Sequence, residues 1–126
     1  MKAHIAAAPR AYDYGLSGEN RIALVEVLGQ FGIETRAIAP GQLTRKVTQL
    51  DAPGSTAPAR GPEDSLLLLD SVAEPILRSL LAALRERGVQ VDYKAVVTPH
   101  NRQWTVLELM EELRRERQAI REEQGK

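Results

Sequence analysis

The chain contains no cysteine among its 126 residues. A disulfide framework is therefore excluded, as is any zinc site built on thiolates. His4 and His100 are the only histidines, so a dedicated metal site would need an unusual set of carboxylates. Aromatic residues make up 4%, too few for a sheet that stacks single-stranded nucleic acid. Neither sign of charge is in excess. Seventeen basic residues face seventeen acidic ones, with seven of each through residue 64 and ten of each beyond it. Proteins that work on phosphate backbones show a basic surplus, so nucleic acid is disfavoured as a partner. The longest aliphatic run is Leu66–Leu69, far short of a membrane span, and Ile5–Ala8 is too short for the apolar region of a signal peptide. No membrane partner is expected, and the expected location is the cytoplasm.

Catalytic signatures are missing too. Gly15-Leu16-Ser17-Gly18 falls one residue short of G-x-S-x-G, with Glu19 where the second glycine belongs. Neither a P-loop nor G-x-G-x-x-G occurs, so no nucleotide cofactor is implied. Asp70, Ser71 and His100 do not make a triad. Adjacent Asp70 and Ser71 cannot easily take the orienting and nucleophilic places around one imidazole. These absences together point away from an enzyme.

What is present is a hydrophobic fraction of 43%, enough to form the core of one domain spanning 1–126. Leu24, Val27, Leu28 and Phe31 recur at helical spacing, and Leu77, Leu80, Leu81 and Leu84 repeat that stripe. Gly32 and Gly88 follow the two stripes and suit the left-handed residue that closes a helix. A shift of 56 residues superposes Leu24 on Leu80, Leu28 on Leu84, Gly32 on Gly88 and Ile33 on Val89. Apolar strands follow at Thr35–Ala39 and Lys94–Thr98, ending near Pro40 and Pro99, and the second connection is the longer one. The chain is thus predicted to be α/β, two βαβα units forming a four-stranded, mainly parallel sheet. The halves are 1–50 and 66–126. A ferredoxin-like α+β fold with an added C-terminal helix is the alternative.

Leu66–Leu69 and Ala95–Val97 are uninterrupted apolar runs, as expected of strands covered on both faces. The first strand is weakly marked: Ala3–Ala8 is alanine-rich, and Ala11–Tyr14 fits the repeat register but contains Asp13. It is expected at a sheet edge. Between the halves, 51–65 holds Pro53, Gly54, Pro58, Gly61 and Pro62, which reads as a mobile linker.

The most distinctive stretch runs from Lys94 to Thr105. Lys94, Ala95, Val96, Thr98, Asn101 and Trp104 spell K-A-V-x-T-x-x-N-x-x-W ahead of an amphipathic helix. This resembles the hallmark of a bacterial family known only as a domain of unknown function, family 3783 of that series. The resemblance is good over about 66–117 and brings no activity or catalytic residue with it. Thr105-x-x-Glu108 has the form of a capping box, with Trp104 and Leu109 at the positions of a hydrophobic staple, so Trp104 is expected to be largely buried. In open parallel sheets ligands bind past the carboxyl ends of strands. Tyr14–Gly18, Ala39–Gln42, Asp70–Ser71 and the loop after Lys94–Thr98 are expected on that one side. Thr98, His100, Asn101 and Arg102 are accordingly the candidate ligand-binding residues. A small anionic ligand would be held there by Arg102 and by freed amides at helix starts. The leading expectation is a non-enzymatic interaction or regulatory module, with a protein partner or self-association. Binding of a small molecule or anion by 98–103 is the runner-up.

Overall fold

The computed structural model describes residues 8–54 and 59–124. Its elements are β1 (Arg10–Tyr14), α1 (Gly18–Gln30), β2 (Glu34–Ala37), β3 (Leu66–Asp70), α2 (Glu74–Arg87), β4 (Tyr93–Val96) and α3 (Val106–Gln124). Short 3-10 turns lie at Pro40–Gln42, Val47–Gln49 and Asn101–Gln103. The four strands form one sheet in the order β2-β1-β3-β4. β1 pairs with β2, and β3 with β4, in parallel, whereas β1 and β3 run antiparallel at the centre. The α/β class and the mainly parallel sheet are therefore as expected, and the ferredoxin-like alternative is not.

The chain divides into two compact units. The first comprises 1–37 with 63–97, and the second 38–62 with 98–126. Each unit takes segments from both halves of the sequence, because each βαβ arm supplies the sheet and the stretch after it goes elsewhere.

In the first unit, alternate strand residues face the two helices. Ala11, Leu67 and Leu69 meet Leu24, Val27 and Leu28 of α1 and Leu80 and Leu84 of α2, all buried in one cluster. The repeated leucine stripes thus do the same work twice. Tyr12, Tyr14, Leu66, Leu68 and Tyr93 alternate onto the opposite sheet face and are also buried. Burial pushes the Tyr14 hydroxyl above its ordinary pKa, because the phenolate would lose its hydration. Gly32 and Gly88 have φ of +72° and +80°, as the helix ends required.

Four expectations need correction. The first strand is central, not an edge. Asp13, the residue that argued for exposure, is 1% exposed and receives two hydrogen bonds from Arg21, at 2.9 and 3.1 Å. The other placement, Ala3–Ala8, falls outside the described residues except for Ala8. β4, conversely, is an outer strand. Val96 is 42% exposed, so Ala95–Val97 is not covered on both faces. The first half does not end in an α-helix: β2 is followed by the turns at Pro40–Gln42 and Val47–Gln49. Gly41 and the β-branched Thr44, Val47 and Thr48 make a poor helix. Finally, the strand ends do not gather on one side. With β1 and β3 antiparallel, β1 and β2 end at one end of the sheet while β3 and β4 end at the other. Of the expected linker, 55–58 lie outside the described residues. Its last member, Ser65, is buried, and its amide and hydroxyl both donate to Asp92, at 2.8 and 3.1 Å.

The second unit is organised by the start of α3. Val106 and Leu107 donate their amides to the carbonyls of Arg45 and Leu43, at 3.0 and 2.9 Å, and Val47 donates to Trp104 at 2.9 Å. Leu43, Val47, Leu50, Val106, Leu109 and Met110 are its buried apolar residues, with Ile38. Arg45 donates from its guanidinium to the carbonyls of Ala52 and Gly54, both at 3.0 Å, tying down the segment that follows. Beyond Leu113 the helix is exposed along most of its length, and Ile120 with it.

Candidate functional site

Thr98 and Asn101 close on each other. The Thr98 amide donates to Asn101 Oδ1 at 2.9 Å, and the Asn101 amide donates to Thr98 Oγ1 at 3.0 Å. Spacing of three residues lets each short side chain reach the other's backbone, which is how such polar residues fix a turn. Asn101 is 8% exposed, and its carbonyl accepts the Trp104 amide at 3.0 Å. Seven residues on, the pattern recurs: Thr105 donates its amide to Glu108 Oε1 at 2.8 Å, and Glu108 donates its amide to Thr105 Oγ1 at 3.1 Å. The capping box is therefore formed as expected. Those bonds, the backbone bond first, hold the Glu108 carboxyl below its usual pKa, helped by the charge of Lys46.

Two boxes in tandem leave little at the start of α3 for a ligand. The amides of Val106, Leu107 and Glu108, which an isolated helix would leave unpaired, all have partners within the unit. His100 and Arg102 are exposed. The His100 ring meets Trp104 edge-on, with centroids 5.0 Å apart at 71°. Trp104 itself is half-buried, not largely buried, and the side chain that meets its indole is this exposed imidazole. Of the four candidate residues, Thr98 and Asn101 thus bond to each other within the loop, and His100 and Arg102 are exposed.

The first hallmark residue lies in the other unit. Lys94, on β4 opposite Leu67, lines a polar cleft of about 500 Å³ with Gly15, Asn20, Glu63, Gln90 and Asp92. The wall of this cleft is fastened by side chains. Asn20 Nδ2 donates to the Gln90 carbonyl at 2.7 Å while Asn20 Oδ1 accepts the Gln90 amide at 2.9 Å. Asp92 is likewise held by Ser65, whose Oγ also accepts the Asp92 amide at 2.9 Å. Sequence reasoning missed this wall. Asn20 and Gln90 are seventy residues apart, and only the longer connection before β4 hinted that something was inserted there. Lysine beside two carboxylates gives the cleft mixed charge. Among the described residues, no three His, Asp or Glu side chains are grouped to hold a metal ion. Among them, too, no helix is long and apolar enough to cross a membrane.

Residues 65–120 match the family model for Domain of unknown function (DUF3783). The match begins at Ser65, immediately before β3, and covers α2, β4, both boxes and most of α3. It is the family that the sequence resembles. No curated protein and no solved structure matches the chain.

Proposed function

We propose that this chain is a non-enzymatic interaction or regulatory module of the bacterial cytoplasm, built from an internal repeat. The observation that carries the reading is the fate of the hallmark. Its threonine and asparagine are consumed in closing a turn, and Thr105 and Glu108 in capping α3. A signature of that kind preserves the shape of a surface, with no reacting group arranged on it. Ile22, Val25 and Ile76 on the outer sides of α1 and α2, and Ile120 on α3, add exposed apolar side chains suited to protein contact. The weakly marked first strand no longer supports this reading, since β1 is paired on both sides.

The competing reading is a small-anion site at 98–103, favoured by exposed His100 and Arg102. Native mass spectrometry on the chain drawn gently from its host separates the two. A protein companion, or a second copy, retained by wild type and by Arg102→Ala alike supports the module. A small anion that co-purifies with wild type and is lost from both His100→Ala and Arg102→Ala overturns it in favour of the anion site.

A further inference from the structure

We infer that the β3 edge of the second half is self-complementary: β1 occupies it here as one copy of a βαβ unit meeting another across a two-fold axis. The partner this edge fits is a second copy of β3 and α2. The inference rests on the internal repeat, and the geometry takes it further than sequence spacing could.

β1 and β3 start and end 56 residues apart, 10 to 66 and 14 to 70, and α1 and α2 start 56 apart, 18 to 74. The central register obeys the same shift. Arg10 pairs with Asp70 and Tyr14 with Leu66, and moving each residue to its counterpart exchanges these two pairs. Tyr12 pairs with Leu68, its own counterpart, so the axis passes through that pair. A slip of one residue would destroy the relation and also turn the buried sets to the wrong faces. Antiparallel pairing about such an axis is the contact by which like subunits form symmetric dimers.

The turns after the two central strands agree. Gly15 has φ of +78°, and Ser71, its counterpart, has φ of +61°, the only positive value among non-glycine residues described. Serine gains nothing from that conformation, yet it is what the same turn requires twice. The cores are complementary in volume. In the first half the strand residue is small and the helix residue larger, Ala11 with Val27. In the second half these become Leu67 with Ala83. The ion pair of buried Asp13 with half-buried Arg21 is matched by Leu69 and Leu77, which belong to the same apolar cluster. The arm of β1 and α1 therefore carries the architecture of the arm of β3 and α2 with its side chains redistributed.

Giving the first half the second half's core tests this directly. The variant Ala11→Leu/Asp13→Leu/Arg21→Leu/Val27→Ala places the same residues on both sides of the axis. It is expected to keep the oligomeric state of wild type and to unfold cooperatively within about 10 °C of it, each such shift being a modest change in stability for a domain of this size. A larger drop, or loss of a cooperative transition, overturns the self-complementary edge. The double variant Asp13→Leu/Arg21→Leu tests the repeat separately. If it loses no less than the two single variants combined, the halves are not interchangeable and the repeat reading fails. If it is tolerated and the fourfold variant is not, the repeat stands and the homotypic edge falls.

Discussion

The two βαβ arms of the first unit reach one fold by different chemistry. In the arm of β1 and α1, a carboxylate sits in the sheet under a guanidinium, 1% exposed against 33%. In the arm of β3 and α2, the same places hold leucines. Burying an ion pair removes hydration from both charges, and attraction roughly repays it only when the geometry is good. Here it is good: Arg21 approaches Asp13 through two nitrogens, and the hydrogen bond to Asp13 raises the Arg21 pKa further. The contrast teaches that polarity in a central strand does not identify it as an edge. What matters is whether a helix one turn away supplies the partner.

The sharpest way to break the comparison is Asp13→Ala, which leaves Arg21 without its acceptor. A loss of about 3 kcal/mol in urea unfolding is expected, the lower part of the range for splitting a buried pair because Arg21 still reaches water. A loss comparable to a surface substitution would mean that the pair is not holding the arm.

Next in size is the turn after each central strand. Gly15→Ala is expected to cost about 1–3 kcal/mol, from the positive φ and from pressing on Ser65, whose Cα would lie 3.2 Å from the new carbon. Ser71→Gly should do the reverse and gain about 1 kcal/mol by relieving φ of +61°. Opposite signs in the two unfolding curves are the check. The outer strands allow a similar comparison. Thr35 Oγ1 is buried without a hydrogen bond, at the place that Lys94 occupies in β4, since Thr35 pairs with Ala11 and Lys94 with Leu67. Thr35→Val is expected to gain about 1 kcal/mol in the same measurement, because an unsatisfied hydroxyl is removed at constant shape.

The smallest effects belong to the second unit, where the boxes contrast with the exposed residues between them. Thr105→Ala should cost about 1 kcal/mol through loss of the cap, whereas His100→Ala should change stability by less than about 0.5 kcal/mol. The Glu108 contribution depends on pH in a definite direction. Its folded pKa is depressed, so its stabilisation is complete above the ordinary glutamate value and disappears as pH falls through the folded one. The melting difference between wild type and Glu108→Gln should therefore shrink on acidification through and below the usual carboxylate range. A difference that stays constant there would show that the carboxylate is not what caps α3.

Much of this was legible along the chain. Leucine spacing placed both helices, glycines marked their ends, and Thr105 with Glu108 announced the start of α3, since each signal acts within one or two turns of backbone. The candidate loop was legible as a turn but not as a site, because Thr98 and Asn101 look the same whether they face a ligand or each other. Trp104 precedes the cap as its spacing implies, but its half-exposure depends on which parts of the chain cover the indole, and spacing does not encode that.

The sequence by itself determined the α/β class, the three helices that form, the glycines that close two of them and the cap of α3, because hydrophobic period and capping are local properties of neighbouring residues. The tertiary structure alone decided that β1 is central, that its pairing with β3 is antiparallel, and that Asp13 is buried against Arg21. Those depend on which strand edges meet, and a strand presents equivalent hydrogen-bonding groups on both edges until a register of buried side chains selects one neighbour.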